Sequence, residues 1–216
     1  MSLITLKNVK KEYGKNQVLF ENLSLEIEKG EFVGFVGKSG AGKTTLLNII
    51  GLITDISEGT ITIDSHKNLS MNGKNAMILR RYTIGYLFQN YGLIEDESVL
   101  WNLKLALEYK KVKKEEKLKL INKYLKQFEL SDMLNKKVYQ LSGGEQQRIA
   151  IIKLILQGSQ IILADEPTSG LDKENELIVM KLLKELNEKG ITIIMVTHNM
   201  NLCDCFSRVI NVENFR

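Results

Sequence analysis

The sequence predicts an α/β fold built around a mostly parallel β-sheet, and three patterns carry this prediction. A glycine-rich segment, 37–45, stands between a short apolar run and a stretch that can begin a helix. Two further apolar runs, 161–164 and 191–196, have the length and composition of buried parallel strands. Each of these runs ends in polar residues, and parallel strands deliver such residues to one edge of a sheet. We therefore expect the functional site where the glycine-rich segment and those polar residues meet.

The glycine-rich segment reads GKSGAGKTT and fits the pattern G-x-x-x-x-G-K-[ST]. Its glycines let backbone N–H groups curl around an anion, and the following helix N-terminus adds partial positive charge. The segment predicts a site for a nucleoside triphosphate, with Lys43 reaching the β- and γ-phosphates and Thr44 ligating Mg²⁺. The residues expected at the nucleotide in this segment are Gly37, Lys38, Ser39, Gly40, Ala41, Gly42, Lys43, Thr44 and Thr45.

The first thirty residues are predicted to form strands, because Leu23, Leu25 and Ile27 alternate with polar residues. Tyr13 lies in a predicted loop just before this alternating strand. Its ring can stack on a base or pack on its neighbours, and the local sequence favours neither. A later strand candidate, 83–88, runs directly into Gln89, whose amide can position a ligand or pair with nearby backbone.

Between Ser98 and Leu130 the pattern changes to that of helices. Apolar residues recur there at the i, i+3, i+7 spacing of a packed helix face, so we expect them in the core. The two stripes are Leu100, Leu103 and Leu107, then Leu118, Ile121, Leu125 and Phe128. This segment is predicted to be a helical insertion between two parts of a nucleotide-binding core.

The stretch LSGGEQQR, 141–148, opens another apolar helix. Ser142 and Glu145 have capping-box spacing, and a well-capped helix alone would explain them. The two glycines between them indicate more, because they leave the first N–H groups of the helix open to a second anion. The candidate anion-site residues are Ser142, Gly143, Gly144 and Glu145.

The run 161–164 ends in Asp165 and Glu166, and the run 191–196 delivers Thr197 and His198. Successive side chains alternate along a strand, so we expect the two carboxylates to point differently. Beside a phosphate loop they predict a site in which one holds Mg²⁺ through water while the other faces the attacking water. His198 taken alone would more often be structural, but its place beside Asp165 predicts a γ-phosphate contact.

Composition bounds the class of protein. The chain has 216 residues, 44% apolar and 26% charged, which suits an ordinary globular protein of one or two domains. No apolar run approaches the roughly 20 residues of a membrane helix, and the N-terminus lacks a signal-peptide core. We therefore expect a cytoplasmic protein whose membrane role needs a separate partner.

The lysines of 110–126 predict a solvated helix face rather than a nucleic-acid or lipid patch. Cys203 and Cys205 are predicted to be buried free thiols.

Together these motifs resemble the nucleotide-binding subunit of an ATP-binding-cassette (ABC) transporter, over essentially the whole chain. The resemblance makes Tyr13 the adenine-stacking aromatic, 37–45 the Walker A loop, Gln89 the Q-loop, 141–148 the signature, 161–166 Walker B, 169–172 the D-loop and His198 the switch histidine. It implies a P-loop NTPase fold: a RecA-like core, an N-terminal antiparallel β subdomain and an inserted α-helical subdomain. The whole chain, 1–216, would be one domain, with 1–89 and 157–216 as the core and 90–156 as the helical subdomain.

The resemblance also implies a mechanism of ATP hydrolysis with Mg²⁺. Glu166, His198 and Gln89 would be catalytic, and Thr44, Gln89 and Asp165 would attend to the metal. Members of the family form head-to-tail dimers that sandwich two ATP molecules. The Ser142–Gly144 helix of one copy would then cap the γ-phosphate bound by Lys43 of the other, so that hydrolysis is coupled to closure.

The stretch 85–103 resembles the macrolide-exporter and lipoprotein-release branch, and within it the ATPases of bacteriocin-export or immunity systems. This implies a separate integral-membrane permease, a location on the inner face of the cell membrane and no nucleic-acid partner. The exported cargo would be a peptide or bacteriocin, a lipoprotein or a drug. A soluble single-cassette regulator and an importer ATPase remain open, and a neighbouring permease gene would discriminate between them. A regulatory GTPase is disfavoured because N-K-x-D and D-x-x-G do not occur.

Overall fold

Eight strands form two sheets in the computed structural model, which describes residues 2–14 and 17–215. The strands are β1 (Ser2–Tyr13), β2 (Gln17–Glu28), β3 (Phe32–Val36), β4 (Glu58–Ile63), β5 (Ile84–Leu87), β6 (Ile161–Asp165), β7 (Thr192–Val196) and β8 (Arg208–Asn211). The α-helices are α1 (Lys43–Ile50), α2 (Lys74–Tyr82), α3 (Val99–Ala106), α4 (Lys114–Gln127), α5 (Gly143–Gln157) and α6 (Lys173–Glu188).

The smaller sheet is antiparallel and has the order β2-β1-β4. Leu23, Leu25 and Ile27 of β2 are buried while the residues between them are exposed. The alternation in the sequence thus predicted the strand and its buried face correctly, because one side of this sheet covers the core.

The larger sheet is parallel throughout, with the order β5-β6-β7-β3-β8. Strands β3, β6 and β7 are the apolar runs that the sequence marked as buried. The register pairs Asp165 at the end of β6 with Val196 at the end of β7. This sheet edge therefore receives the phosphate loop and the polar ends of β6 and β7 together. An α/β fold with an N-terminal antiparallel sheet is confirmed.

Two apolar clusters lie on opposite faces of the parallel sheet. In β6, Ile161 and Leu163 belong to the cluster that also contains α1 and the antiparallel sheet. Ile162 and Ala164 belong to the other cluster, with residues of α3, α4, α5 and α6. Because successive strand residues face opposite sides, continuous apolar runs are what a sheet covered on both faces requires.

Two expectations about burial were wrong. Leu118 is 41% exposed, whereas Ile121, Leu125 and Phe128 are buried, so the packed stripe of α4 begins one turn later than the pattern indicated. Cys205 is exposed and Cys203 partly so, because both lie in a surface 3-10 helix, Met200–Cys205, outside the packed layers. Both thiols are free, as expected. Among the described residues, no helix combines the length and the hydropathy needed to cross a bilayer.

Candidate nucleotide-binding site

The phosphate loop joins β3 to α1 and depends on glycine at defined positions. Gly37, Gly40 and Gly42 have φ angles of 141°, 76° and 97°, a region that residues with a side chain rarely adopt. At Gly42 a Cβ would also lie 2.7 Å from the ring of Phe20 in β2. The antiparallel sheet therefore packs directly against the loop and fixes its path.

Lys43, the first residue of α1, is buried, and its ammonium folds back over the loop. Its Nζ donates to the carbonyl oxygens of Gly37 at 2.8 Å and Lys38 at 3.0 Å. The backbone N–H of Lys38 in turn donates to Glu213 at 3.0 Å, which ties the loop to the C-terminal 3-10 helix. These bonds keep a full positive charge at the mouth of the loop.

Thr44 and Asp165 bring the two halves of the chain together. The Thr44 hydroxyl donates to Oδ1 of Asp165 at 3.1 Å. Burial raises the pKa of Asp165, and the negative charge of Glu166 adds to this, while the Thr44 hydrogen bond and the charge of Lys43 oppose it. A desolvated carboxylate beside a hydroxyl favours a nearby cation, and oxygen ligands are those that Mg²⁺ prefers.

This oxygen pair fits Mg²⁺ in a particular way. No group of three or more His, Cys, Asp or Glu side chains in residues 2–14 and 17–215 is arranged to hold a metal alone. Mg²⁺ at nucleotide sites is bound by one or two protein oxygens together with substrate phosphates and water. The residues present are therefore of the right chemistry and number for a metal that arrives with a nucleotide.

Glu166 points away from Asp165 and contacts His198 instead. Its Oε2 lies 3.0 Å from Nδ1 of the imidazole. Glu166 has a φ of 46°, uncommon for a residue with a side chain, and its N–H donates to the Val196 carbonyl at 3.0 Å. Such strained backbone clusters at functional sites. The two carboxylates thus make separate contacts, as expected, although the reason is the turn of the chain at Glu166 after β6 ends and not alternation along the strand.

A cleft of about 420 Å³ collects half of the predicted residues. It is lined by Tyr13, Gln17, Leu19, Ser39, Gly40, Gly42, Lys43, Thr44, Thr45, Glu166 and His198. Tyr13 is 46% exposed at the end of β1, so its ring is accessible from the cleft. Gln17 and Leu19 were not predicted, because they enter the cleft only through the pairing of β1 with β2, which no local motif announces.

Other predicted residues lie outside the lining of this cleft. Gln89 is exposed and lies two residues after β5, which is the strand next to β6. Its metal and catalytic roles stay predictions. The residues Ser142–Glu145 begin α5 and likewise do not line the cleft. Gly37, Lys38 and Ala41 belong to the loop but do not line the cleft, and Asp165 reaches it only through its hydrogen bond with Thr44.

The N-terminus of α5 carries the expected capping box. Ser142 Oγ accepts the N–H of Glu145 at 3.3 Å, and Glu145 Oε2 accepts the N–H of Ser142 at 2.7 Å. Ser142 is exposed and Gly143 half-buried, so this helix end faces outward with its dipole positive. These features suit an anion brought by another molecule.

Asn175, which the sequence did not reveal as functional, joins this helix to the loop before α6. Its Oδ1 accepts from Arg148 at 3.1 Å, and its Nδ2 donates to Asp172 Oδ2 at 2.9 Å. A Cβ at Gly144 would overlap the Asn175 amide, so the glycine permits the close approach. The only signal was its place three residues after the N-cap Asp172, where a backbone N–H meets the cap.

The parallel sheet, the phosphate loop and the carboxylates at the strand ends are those of a P-loop NTPase. The family model described as ABC transporter matches residues 20–169, and the chain belongs to this family. It is an ABC-type ATPase domain. The family match and the fold confirm the resemblance to ABC ATPases predicted from the sequence.

Two curated relatives are similar to this chain over nearly its whole length. Macrolide export ATP-binding/permease protein MacB of Campylobacter jejuni is 41% identical over 212 residues, which covers 98% of this chain and 33% of the relative. The chain therefore spans about a third of that protein. The uncharacterized ABC transporter ATP-binding protein MJ1508 of Methanocaldococcus jannaschii is 41% identical over 215 residues, covering 98% of this chain and 96% of the relative.

Solved structures agree with the fold. A dimeric, post-hydrolysis structure of the ATP-binding cassette MJ0796 bound to ADP and Pi superposes with a TM-score of 0.87 at 39% identity, covering 96% of this chain and 93% of that one. CbiO1 of Clostridium perfringens, part of the ABC transporter complex cbiONQ, gives 0.85 at 25% identity, covering 98% and 86%.

Proposed function

We propose that this chain binds ATP with Mg²⁺, hydrolyses it as a head-to-tail dimer, and so drives a separate membrane permease in export. The observation that carries the proposal is the match of nearly the whole chain to the MacB relatives, whose name joins an ATP-binding part to a permease. MJ1508, matched over 96% of its length, supports a cassette that stands as a separate subunit. The chain would work at the inner face of the cell membrane.

In this proposal each group of site residues takes a part of ATP. The adenine stacks on Tyr13, and the loop amides together with Lys43 hold the β- and γ-phosphates. Mg²⁺, held by Thr44, Asp165 and Gln89, would neutralise charge on the phosphates. The 3.1 Å bond between Thr44 and Asp165 supports this assignment, because it brings a loop ligand and a sheet ligand to one point.

Glu166 is the general base and His198 its partner. The carboxylate accepts a proton from water as the water oxygen bonds to the γ-phosphorus, while the bond from that phosphorus to the β–γ bridging oxygen breaks and ADP leaves. The 3.0 Å contact to Nδ1 of His198 supports the pairing, because it holds the carboxylate at the cleft. The other ring nitrogen of His198 is then available to the γ-phosphate.

A second copy of the chain completes the site. The outward-facing N-terminus of α5, Ser142–Gly144, would cap the γ-phosphate that Lys43 of the other copy holds. The dimeric structures of MJ0796 support this arrangement for a chain of the same fold. Ser142–Glu145 do not line the cleft of their own chain, and such a dimer would bring this helix end to the nucleotide of the other copy.

We propose that the permease docks in a groove beside Gln89. It measures about 400 Å³, has mainly apolar walls and runs between β5 and α5. Its lining is Gly51, Ile53, Arg80, Ile84, Tyr86, Phe88, Tyr91, Ala150, Lys153, Leu154 and Gln157. Phe88, exposed and stacked on Tyr86 at 4.2 Å, offers a rigid aromatic contact. The cargo would be a peptide or bacteriocin, a lipoprotein or a drug.

The test is to isolate the complex from native membranes with a tagged chain and to measure its ATPase activity in proteoliposomes. We expect an export permease to co-purify and to respond to its cargo. Phe88→Asp should reduce the co-purified permease at least tenfold, whereas the control Tyr139→Asp, at an exposed aromatic elsewhere, should not. An importer permease would contradict the direction of transport, and a purely soluble partner would contradict the transport role.

A further inference from the structure

Lys11 places a buried ammonium against the ring of Tyr13. The side chain is only 9% exposed, and its Nζ lies 4.7 Å from the centre of the ring. The same Nζ donates to the carbonyl oxygen of Asp55 at 2.7 Å and to the Thr54 hydroxyl at 3.4 Å. Neither the phosphate loop nor the proposed hydrolysis uses this charge.

The neighbouring lysine is a natural contrast. Lys10 reaches the carboxylates of Glu12 and Glu58, at 3.1 Å and 3.4 Å. Such surface ion pairs contribute little to stability. Burying an ammonium, by contrast, costs free energy unless its hydrogen bonds and nearby electron density offset the loss of water. For Lys11 these are two oxygen acceptors and the face of one aromatic ring.

The contacts of Lys11 join the end of β1, where Tyr13 lines the cleft, to the segment between α1 and β4. Tyr13 belongs to the antiparallel sheet, whereas Thr54 and Asp55 follow α1, the helix that the phosphate loop opens. A half-exposed ring at a strand end has rotamer freedom that must be lost before a base can stack on it. A cation on one face of the ring restrains it and leaves the opposite face for a base.

We propose that Lys11 is a positioning residue for base recognition: it holds the Tyr13 ring at a fixed distance from the phosphate loop. The inference rests on the proposed stacking of adenine on Tyr13. It predicts that Lys11 contributes to the binding of the base and not to the binding of the triphosphate.

The experiment compares two ligands on the full chain by calorimetric titration: ATP and inorganic tripolyphosphate, each with Mg²⁺. Lys11→Met should weaken ATP binding roughly three- to thirtyfold, the scale of one cation–π contact, and leave tripolyphosphate within about twofold. Lys11→Arg should keep most of the ATP affinity, because a guanidinium also lies over aromatic rings. Lys10→Met is the matched control and should change neither ligand.

The outcomes separate this inference from the proposal beneath it. Equal weakening of both ligands by Lys11→Met, or no weakening of ATP, overturns the positioning role. Tyr13→Ala must itself weaken ATP, and Lys11→Met should add no further loss in that background. If Tyr13→Ala leaves ATP affinity intact, base stacking fails, whatever Lys11 does. Should Lys11→Met unfold, Lys11→Gln, which keeps a donor for Asp55 without the charge, must show the same selective loss.

Discussion

Oε2 of Glu166 and Nδ1 of His198 lie 3.0 Å apart, across the ends of two adjacent parallel strands. The carboxylate is mostly shielded, with 23% of its side chain exposed, whereas the imidazole is 66% exposed. A base held by a partner that itself reaches the cleft is oriented before the substrate arrives.

Glu166→Gln should therefore separate binding from turnover. The amide keeps the size of the side chain but cannot accept the proton, so turnover should fall roughly 10²–10⁴-fold. ATP affinity should survive, since Lys43, Thr44 and the loop amides are untouched, and the ATP-bound dimer should accumulate. Phosphate release and size-exclusion chromatography with ATP and Mg²⁺ measure the two effects.

The control for this variant is Glu188→Gln, an exposed position at the end of α6. Wild-type phosphate release by Glu166→Gln would remove Glu166 from the mechanism. A variant that binds ATP without hydrolysing it and stays monomeric would contradict only the dimer of the isolated chain. Closure would then require the permease.

Asp165→Asn should raise the thermal stability of the protein and weaken its Mg²⁺-dependent binding of ATP. The pKa of Asp165 is raised in the fold, mainly by burial, so its contribution to stability is present below the unfolded pKa and is lost as pH rises through the folded pKa. At neutral pH the neutral amide should thus raise the Tm of the nucleotide-free protein, by about 2–4 °C if 1 kcal/mol is recovered. Mg²⁺-dependent ATP affinity should fall.

Thermal melts at neutral and acidic pH test the sign. The gain in Tm should shrink as the pH falls, because wild-type Asp165 then becomes protonated and its burial no longer costs stability. A Tm lower than wild type at neutral pH would show that the Thr44 hydrogen bond outweighs desolvation. Unchanged Mg²⁺ dependence would remove Asp165 from the metal site.

Two inactive variants should restore activity when mixed. Lys43→Ala lacks the proposed phosphate contact, and Ser142→Arg blocks the helix end proposed to cap the partner's phosphate. A heterodimer of the two has one intact composite site, so ATPase activity should return toward that of a single site per dimer. Activity against mixing ratio is the measurement, with each variant alone as the control. No recovery in verified heterodimers would contradict the composite site or show that both sites must act together.

Asn175→Ala should loosen the join between α5 and the 169–172 loop. Removal of the amide frees Arg148 and Asp172 from their shared partner, so the two elements lose a bridge that is half-buried at Arg148 and exposed at Asp172. Both elements belong to the proposed interface between copies. We therefore expect a larger decrease in kcat than in the ATP affinity of the monomer. Asn201→Ala, at an exposed asparagine, is the control. If Asn175→Ala lowers the stability but leaves kcat unchanged, Asn175 has only a structural role.

The sequence revealed the elements that local pattern determines. The continuous apolar runs of β6 and β7 and the alternation in β2 each state which face is buried, and the phosphate loop has a spacing that few other structures need. What it did not reveal depends on distant pairing. Lys11 meets Thr54 and Asp55 only because the segment after α1 leads into β4, which pairs with β1. Asn175 meets Arg148 only across two helices. The predicted burial of Leu118 was wrong for the same reason, because periodicity gives the buried face of a helix but not how far the neighbouring elements extend along it.

Strand β3, which carries the phosphate loop, is flanked in the sheet by β7 and β8, the last two strands along the chain. During synthesis the loop emerges before the strands that will hold it, and at about 5–20 residues per second the delay is on the order of 10–30 s. Throughout that interval β3 has two open edges, the condition in which strands pair wrongly with other chains. ATP cannot shorten this exposure, because a ligand stabilises only a state that binds it and the cleft is not yet assembled. ATP can therefore stabilise the finished domain but not this nascent intermediate.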